Sequence, residues 1–274
     1  MWKTLELGLE LASFPAGKPS LAGDEVVTVV RIDPSAWDLE ILCASKEKAC
    51  SSLTAREWCE QRGLVAAINA GMFAQDRRTH IGFLAADGHM NNSRTNRYES
   101  VAAFAPRASG RPAFRIYDLD MGASIEAIRD KYRYVVQNLR LVKRSRENRW
   151  SQQARAWSEA ALGEDDKGRA LFVFCRSPYS MYDFNHILLA LPIGLVCAQH
   201  LEGGPEAQMY VSAGGQEIEF FGSFETGFFE TDLNRTAWPI PSVIGVRRKP
   251  RYPTSRRRSQ VLNLGVSPVS GLFS

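Results

Sequence analysis

Short runs of β-branched and other apolar residues, each ended by glycine, proline or a polar turn, recur along this 274-residue chain. Such runs are typical of β-strands. The longest apolar run, residues 187–198, contains Pro192 and Gly194 and is shorter than the roughly 20 residues that a membrane-spanning helix needs. The pattern therefore predicts a sheet-rich fold without a membrane span. We expect strands at residues 25–32, 39–44, 64–70, 82–86, 100–105, 113–119, 134–142, 169–176, 195–201, 208–212, 217–221 and 242–246.

Signals for helices are fewer and shorter. Thr54-Ala55-Arg56-Glu57 is a capping box, and Gly63 supplies the left-handed end of the helix that it opens. Two further N-cap serines predict helices at residues 124–132 and 180–190. Residues 143–157 are polar and give no clear prediction. Because no repeat or low-complexity linker divides the chain, we expect a single α+β domain with a mostly β interior and a few short helices.

Positive charge is concentrated near the C-terminal end. Residues 247–258 contain seven Lys or Arg and no acidic residue, whereas the whole chain has a net charge of +4, so the remainder is mildly acidic. A basic run of this kind can meet nucleic acid or anionic lipid. No aromatic-interleaved basic surface accompanies it, which favours a solvated tail and makes nucleic acid an unlikely partner. We therefore expect a basic tail at 249–274.

The spacing of cysteine and histidine predicts no structural zinc site. Five cysteines include no C-x-x-C pair, and four histidines include no H-x-H or H-x-x-x-H pair. Cys175 and Cys197 lie in apolar runs and are expected in the core, while Cys43 and Cys50 suit a bridge in an oxidising compartment. Phosphate-loop, G-x-G-x-x-G, H-E-x-x-H and G-x-S-x-G motifs are also absent from the sequence. No cofactor is predicted, and a divalent cation is left open.

The first place where chemistry is expected is the end of the buried run at 64–70. Asn69 offers an amide donor and acceptor to a ligand, and Gly71 lets the backbone turn sharply or approach a substrate closely. An Asn that satisfies its own turn explains the same residues equally well.

The second place is Leu201-Glu202-Gly203-Gly204-Pro205-Glu206, which follows another apolar run. Glu202 and Glu206 are a pair of carboxylates, as glycoside hydrolysis requires: one protonates the leaving oxygen, and the other attacks or activates water. The N–H groups of Gly203 and Gly204 suit an anionic oxygen. The alternative is a tight turn with two solvated glutamates.

Taken in order, these segments resemble the phosphodiester glycosidase family over residues 25–248. The segments that carry the resemblance are Ala67-Ile68-Asn69-Ala70-Gly71-Met72-Phe73, residues 82–88 with their terminal Asp-Gly, Tyr182-Asp183-Phe184 at a helix start, residues 201–206 and residues 241–246. The family has Asp where this chain has Glu202, and Ser where it has Glu206. The resemblance identifies 25–248 as a phosphodiester glycosidase-like domain and leaves residues 1–24 as an N-terminal extension.

The resemblance implies a hydrolase that cleaves a sugar phosphodiester or related glycosidic bond, with a saccharide or sugar phosphate as substrate. Glu202 and Glu206 would then be catalytic, sharing acid–base and electrostatic work. Arg140 would pair with phosphate oxygens in a two-pronged way. The full set of expected substrate-binding residues is Asn69, Gly71, Gln137, Asn138, Arg140, Ser177, Asp183, Gly203 and Gly204.

Other interpretations remain open from the sequence. The changed Asp and Ser positions fit a non-catalytic glycan- or cell-wall-binding protein of the same fold, and the run at 247–258 fits nucleic-acid binding. Met1-Trp2-Lys3-Thr4-Leu5-Glu6 lacks the basic start and apolar core of a secretory signal. Localisation is therefore open, although the family resemblance favours export or the periplasm.

Overall fold

The computed structural model describes residues 1–46 and 52–250, and most of their regular structure is β-strand. The pairing between strands is antiparallel throughout these residues. In chain order the strands are Lys3–Glu6 (β1), Leu9–Pro15 (β2), Val26–Ile32 (β3), Trp37–Cys43 (β4), Ala66–Asn69 (β5), Leu84–Ala86 (β6), His89–Asn92 (β7), Ser100–Pro106 (β8), Phe114–Asp118 (β9), Tyr132–Asn138 (β10), Arg140–Lys143 (β11), Glu147–Asn148 (β12), Trp157–Asp165 (β13), Ala170–Tyr179 (β14), Leu195–Gly203 (β15), Gln208–Ala213 (β16), Gln216–Phe221 (β17) and Ser242–Arg248 (β18).

The helices of the described residues are short, as expected. They are Ala55–Arg62 (α1), Ile125–Arg129 (α2) and Met181–Ala190 (α3). The predicted capping box opens α1: the Thr54 hydroxyl accepts a hydrogen bond from the Glu57 N–H at 3.2 Å, and the Glu57 carboxylate accepts one from the Thr54 N–H at 2.8 Å. Helix α2 ends before the predicted limit of 132, because the chain has already entered β10 there.

Three sheets enclose a shared core. The first has the strand order β1-β2-β3-β14-β13-β15-β11-β12, the second β7-β6-β10-β8-β9 and the third β17-β16-β5-β18-β4. Side chains from all three meet in one apolar cluster that includes Leu162, Phe104 and Ile68, all fully buried. The predicted mostly β interior is confirmed, and the two predicted strands at 208–212 and 217–221 pair as the hairpin of β16 and β17.

The N-terminal segment is part of the first sheet. Strands β1 and β2 pair with each other, and β2 pairs with β3 from Leu9 opposite Ile32 to Pro15 opposite Val26. Strands β1 and β2, at residues 3–15, therefore extend the first sheet at one edge.

The basic run begins inside a strand. Arg247 and Arg248 in β18 form ion pairs with Glu40 and Glu6. The predicted bridge between Cys43 and Cys50, and most of the basic tail, lie outside the described residues. Within the part that is described, no helix is both long and apolar enough to cross a membrane.

Strands β1, β2, β7 and β12 were not predicted, and two further parts of the sheet structure differ from the sequence prediction. The run 134–142 is two strands in two sheets, because the chain leaves the second sheet after Asn138 and enters the first at Arg140. Strand β13 was not predicted, since its buried face includes polar residues such as Glu159 and Glu164. Buried acidic side chains interrupt the apolar pattern that marks other strands.

Candidate active site

Four glutamates converge near the end of β15. Glu202 is in β15, Glu206 is in the 3-10 turn that follows, Glu159 is in the neighbouring β13, and Glu225 is in the loop after β17. The negative charges of the other three all raise the pKa of Glu202. The structure therefore brings the two predicted carboxylates together and adds two that were not predicted.

A bulge shapes this end of the sheet. Ala160 lies opposite Glu202 but Ala161 lies opposite His200, so two residue steps of β15 face one step of β13. Bulges re-aim side chains and are common beside active sites. Here the bulge falls between His200 and Glu202, at the end of β15 where the carboxylates cluster.

Glu202 is buried, with 7% of its surface exposed. Its Oε1 accepts a hydrogen bond of 3.1 Å from the N–H of Gly203. Burial raises the pKa of Glu202 well above its ordinary value, and the charge of Glu206 raises it further. Glu202 therefore keeps its proton at a pH where an exposed glutamate has lost it.

Glu206 lies in a different environment. Its side chain is 22% exposed and its Oε1 is 3.2 Å from Nη1 of Arg77, whose Nη2 donates to the carbonyl of Pro239 at 2.7 Å. Burial raises the pKa of Glu206, while Arg77 lowers it. The ion pair favours the ionised form of Glu206. Two carboxylates whose surroundings differ in this way are suited to different parts in one reaction.

Glu225 enters the cluster through a tight contact with the turn. Gly204 has a φ of +63°, and a Cβ there would lie 2.5 Å from Oε2 of Glu225, so glycine makes room for this carboxylate. Burial and the charge of Glu206 raise the pKa of Glu225, and His200 and Arg155 lower it.

Behind Glu202 lies a hydrogen-bonded group on β13 and β15. Nδ1 of His200 is 2.6 Å from Oε1 of Glu159, and Nε1 of Trp157 donates to Oε2 of Glu159 at 2.8 Å. His200 and Glu159 are both nearly inaccessible, at 3% and 2% exposure. Charged groups buried in this way are stable only when paired.

Asn69 has a structural role. Its Nδ2 donates to the carbonyl of Glu206 at 2.9 Å, and its Oδ1 accepts from the N–H of Gln208 at 2.7 Å. Both polar atoms of the amide are therefore used to hold the turn that carries Glu206. The alternative stated from the sequence, an Asn that satisfies a turn, describes this side chain better than substrate binding does.

Gln137 also organises the site from behind. Its Nε2 donates to the carbonyls of Asn96 and Tyr98 at 3.1 and 2.6 Å. Tyr98 lies close enough to Glu202 for that carboxylate to add to the burial that raises the pKa of Tyr98. Gln137 is therefore placed to fix Tyr98 beside Glu202 rather than to bind substrate itself.

Asn138 and Gly71 pack against each other. Nδ2 of Asn138 donates to the carbonyl of Ala70 at 2.9 Å, and a Cβ on Gly71 would overlap both Oδ1 of Asn138 and the ring of His80. Gly71 therefore has no side chain because Asn138 and His80 occupy the space where its Cβ would lie.

The phosphate-binding role expected of Arg140 is not supported. Its guanidinium forms ion pairs with Asp118 at 3.3 Å, with Asp120 at 2.9 Å and with Glu99, and its side chain is 10% exposed. Three carboxylates occupy the donors that a phosphate would need: Asp118 in β9, Asp120 in the turn after it and Glu99 just before β8.

The structure therefore predicts that Arg140→Ala acts on stability. Asp118, whose side chain is 2% exposed, would lose its guanidinium partner, so we expect the free energy of unfolding to fall by about 2 kcal/mol. The KM for any sugar-phosphate substrate of the folded protein would not change. Chemical denaturation and steady-state kinetics measure the two effects, with Arg129→Ala, which removes an exposed arginine, as the control. A large rise in KM without loss of stability would show that Arg140 binds substrate after all.

Ser177 and Asp183 are likewise engaged elsewhere. The Ser177 hydroxyl accepts from the N–H of Glu25 at 2.6 Å, in β14, which is two strands from β15. Asp183 binds Lys18 at 2.5 Å and lines a separate cleft of about 350 Å³. Gly203 N–H, expected to meet an anion, donates to Glu202 instead.

Several residues of the cluster were missed from the sequence. His200 lies at the end of the predicted strand 195–201, but its pairing with Glu159 depends on strand register, for which there was no sign in the sequence. Arg77 and Glu225 come from irregular loops and gave no such sign. Among the described residues, no group of three or more His, Cys, Asp or Glu side chains is arranged to hold a metal ion.

Comparisons with known proteins agree with this architecture. The sequence profile of the phosphodiester glycosidase family matches residues 62–247. No curated protein matches the chain by sequence.

Solved structures show the same fold at low sequence identity. One is the catalytic domain of zebrafish N-acetylglucosamine-1-phosphodiester alpha-N-acetylglucosaminidase, with a TM-score of 0.62 and 12% identity over 88% of this chain and 84% of that one. Another is a hypothetical protein from Synechocystis, with a TM-score of 0.54 and 15% identity over 89% of this chain and 62% of that one.

Proposed function

The chain belongs to the phosphodiester glycosidase family, and on this basis we propose that it hydrolyses the glycosidic bond of a sugar phosphodiester or a related glycoside at the Glu202–Glu206 cluster. The family supports a glycosidase with a sugar substrate. The cluster supplies the pair of acidic groups that such hydrolysis uses.

One observation carries the proposal: the two glutamates lie side by side in contrasting environments. Glu202 is buried without a cationic partner among the described residues, and its pKa is raised well above the ordinary value. Glu206 is paired with Arg77 at 3.2 Å. A protonated carboxyl beside an ionised one is the arrangement that acid-assisted cleavage of a glycosidic bond needs.

Each group then has a defined part in the reaction. Glu202 donates its proton to the leaving oxygen while the bond from the anomeric carbon to that oxygen breaks. Glu206, ion-paired with Arg77 at 3.2 Å, stabilises the positive charge that develops on the sugar ring. Water adds to the anomeric carbon and gives its proton to the carboxylate of Glu206.

Aromatic side chains at the rim give the sugar an apolar surface. The rings of Phe228 and Phe229 pack edge-on against Trp238, with centroids 6.2 and 6.1 Å away. Backbone hydrogen bonds of 2.9 Å in both directions join Phe229 to Glu225, so these rings are tied to the carboxylate cluster. Such rings bind the apolar faces of ligands in many pockets.

We expect Phe228→Ala to raise KM about tenfold with little change in kcat, because Phe228 is 62% exposed and its loss removes apolar contact with the sugar rather than protein core. Leu7→Ala is the matched control, since Leu7 is also exposed, at 89%, but lies in the turn between β1 and β2. Equal kinetics for Phe228→Ala and wild type would remove this residue from the substrate site.

The proposed function is tested by measuring sugar release from a panel of aryl glycosides and sugar-1-phosphodiesters. Uncharged glycosides belong in the panel because Arg140 is not available for phosphate. The proposal predicts turnover on at least one class. Saccharide binding in calorimetry without turnover on any substrate would instead favour the glycan-binding alternative.

A further inference from the structure

The carboxyl group of Glu225 has no hydrogen-bond or ion-pair partner among the described residues. The other three glutamates of the cluster each form a hydrogen bond within the protein. Glu225 is half-buried, so its carboxyl group is reachable from solvent. Polar groups that lie partly buried in a protein are normally hydrogen-bonded. The carboxyl group of Glu225 is therefore available to a ligand.

A direct contact places this carboxyl group at the turn that carries the two proposed reacting groups. A Cβ at Gly204 would lie 2.5 Å from Oε2 of Glu225 and 2.9 Å from its Cβ. Gly204 is two residues from Glu202 and two from Glu206, in the turn that joins them. Glu225 therefore packs directly on the segment between the proposed acid and its partner carboxylate.

Backbone pairing holds Glu225 in this position from the other side. Glu225 forms antiparallel bridges with Trp157 and with Phe229. Residues that pair across an antiparallel ladder project their side chains to the same face. The ring of Trp157 confirms this, because a Cβ at Gly203 would lie 2.7 Å from its Cδ1. Trp157 and Glu225 thus cover consecutive glycines of one turn.

Further contacts lead from Glu225 around to Glu206 along a second path. The ring of Phe229 packs against Trp238 with centroids 6.1 Å apart. The carbonyl of the residue after Trp238 accepts a hydrogen bond of 2.7 Å from Nη2 of Arg77, and Nη1 of Arg77 is 3.2 Å from Oε1 of Glu206. All of these side chains are at least partly exposed. The two carboxyl groups are therefore joined on one side by the glycine turn and on the other by aromatic rings, at the protein surface.

A carboxyl group beside aromatic rings has the chemistry that binds a sugar. A sugar ring presents hydroxyl groups around its edge and C–H groups on its faces. A carboxyl group accepts a hydrogen bond from a hydroxyl in either protonation state. Aromatic rings bind the apolar faces. The two features adjoin here, since Glu225 and Phe229 are hydrogen-bonded through their backbones at 2.9 Å.

We propose that Glu225 is a substrate-binding residue that accepts a hydrogen bond from a ring hydroxyl of the sugar, an inference that rests on the proposed function. One face of the sugar lies on the aromatic rings, and its hydroxyl edge meets Glu225. Glu225 transfers no proton in the reaction. It selects sugars that carry a free hydroxyl at this edge, because a sugar that lacks the hydroxyl covers the carboxyl group and leaves it without a partner.

A double-mutant cycle between protein and substrate tests the proposal. The probes are aryl glycosides of glucose, galactose, mannose and N-acetylglucosamine, each with derivatives that lack one ring hydroxyl at a time. With wild type, we expect one deoxy derivative of the glycoside that reacts fastest to lose about tenfold in kcat/KM through this contact. Glu225→Ala should lose about tenfold on the parent glycoside and nothing more on that derivative. A purely structural role would lower the rates for parent and derivative equally.

Two further variants and a binding measurement complete the test. Glu225→Gln keeps the shape of the side chain and an acceptor oxygen, so it should retain most of the discrimination against the deoxy derivative. Glu219→Ala, which removes an exposed glutamate of β17, is the control and should behave as wild type. Calorimetry with the free sugars and their deoxy forms should show the same tenfold effects on Kd in wild type and Glu225→Ala, and it needs no turnover.

The outcomes separate the binding role from the proposed function. If wild type hydrolyses a glycoside but each deoxy derivative loses the same factor in wild type and Glu225→Ala, the binding role is wrong and the proposed function stands. If wild type hydrolyses none of the probes while calorimetry shows the expected loss in Glu225→Ala, the hydrolysis fails and the binding role stands. If wild type neither hydrolyses nor binds any of them, both are wrong.

Discussion

Replacement of Glu202 by Gln is expected to abolish most of the activity while it stabilises the fold. The variant keeps the shape of the side chain but cannot donate a proton to the leaving oxygen, so kcat should fall by about 100- to 10,000-fold. Aryl glycosides with a good leaving group need less protonation and should show the smaller losses. Steady-state kinetics across leaving groups measures the effect.

The stabilising effect follows from the raised pKa of Glu202. Burial raises its pKa in the folded protein above the value in the unfolded chain. The favourable contribution of the protonated carboxyl is therefore complete below the unfolded pKa and is lost as the pH rises through the folded pKa. The free energy of unfolding of Glu202→Gln should exceed that of wild type at alkaline pH, and the difference should shrink towards acidic pH.

Glu219→Gln is the matched control for both measurements, because Glu219 is an exposed glutamate on β17. It should change neither kcat nor the pH dependence of unfolding. Full activity in Glu202→Gln would show that this residue is not the acid. A loss of stability in that variant at alkaline pH would show that the carboxyl is not held protonated by the fold.

The second large effect is expected from Gly71→Ala. Gly71 has a φ of +148°, where a side chain is strained, and its Cβ would overlap Asn138 and His80. Asn138 and His80 are 1% and 2% exposed and have little room to move. We expect the free energy of unfolding to fall by about 3–5 kcal/mol, from backbone strain and overpacking together. Thermal and chemical denaturation measure this loss.

Gly88→Ala separates the two causes. Gly88 has a φ of +82° but no atoms within 4 Å of the position of a Cβ. An alanine at this position therefore costs only the strain of the backbone conformation. We expect about 1–2 kcal/mol for this variant. If the two variants lose similar amounts of unfolding free energy, overlap of a Cβ at position 71 with Asn138 and His80 adds nothing to the loss. The packing explanation for Gly71 would then be wrong.

Local signals in the sequence were sufficient for much of the fold. The capping box at Thr54 and the N-cap at Ser180 gave the starts of α1 and α3, because caps are satisfied within a few residues. Apolar runs indicated most strands, because the pattern that marks a strand is also contained within a few consecutive residues. Strand β13 was missed because Glu164, which is buried, is neutralised by Arg115 and Arg144 from distant parts of the chain.

The candidate site was harder to predict than the fold. Glu202 and Glu206 are four residues apart at the end of an apolar run, so the sequence indicated them as a candidate pair, although the spacing did not show how far apart their carboxyl groups lie. Sequence spacing cannot show whether a polar side chain is free, and this is why Asn69 and Arg140 were expected to bind substrate although internal partners hold both. The partnership of Glu159 with His200 depends on strand register, which the sequence does not reveal.

The most direct test of the proposed function is the position of bond cleavage. Wild-type protein would hydrolyse a sugar-1-phosphodiester in water labelled with the heavy oxygen isotope, and mass spectrometry would locate the label in the products. Hydrolysis at the glycosidic bond predicts the label in the anomeric hydroxyl of the released sugar, because water adds to carbon. Label in the released phosphate would show attack on phosphorus and would contradict a glycosidase built on Glu202 and Glu206.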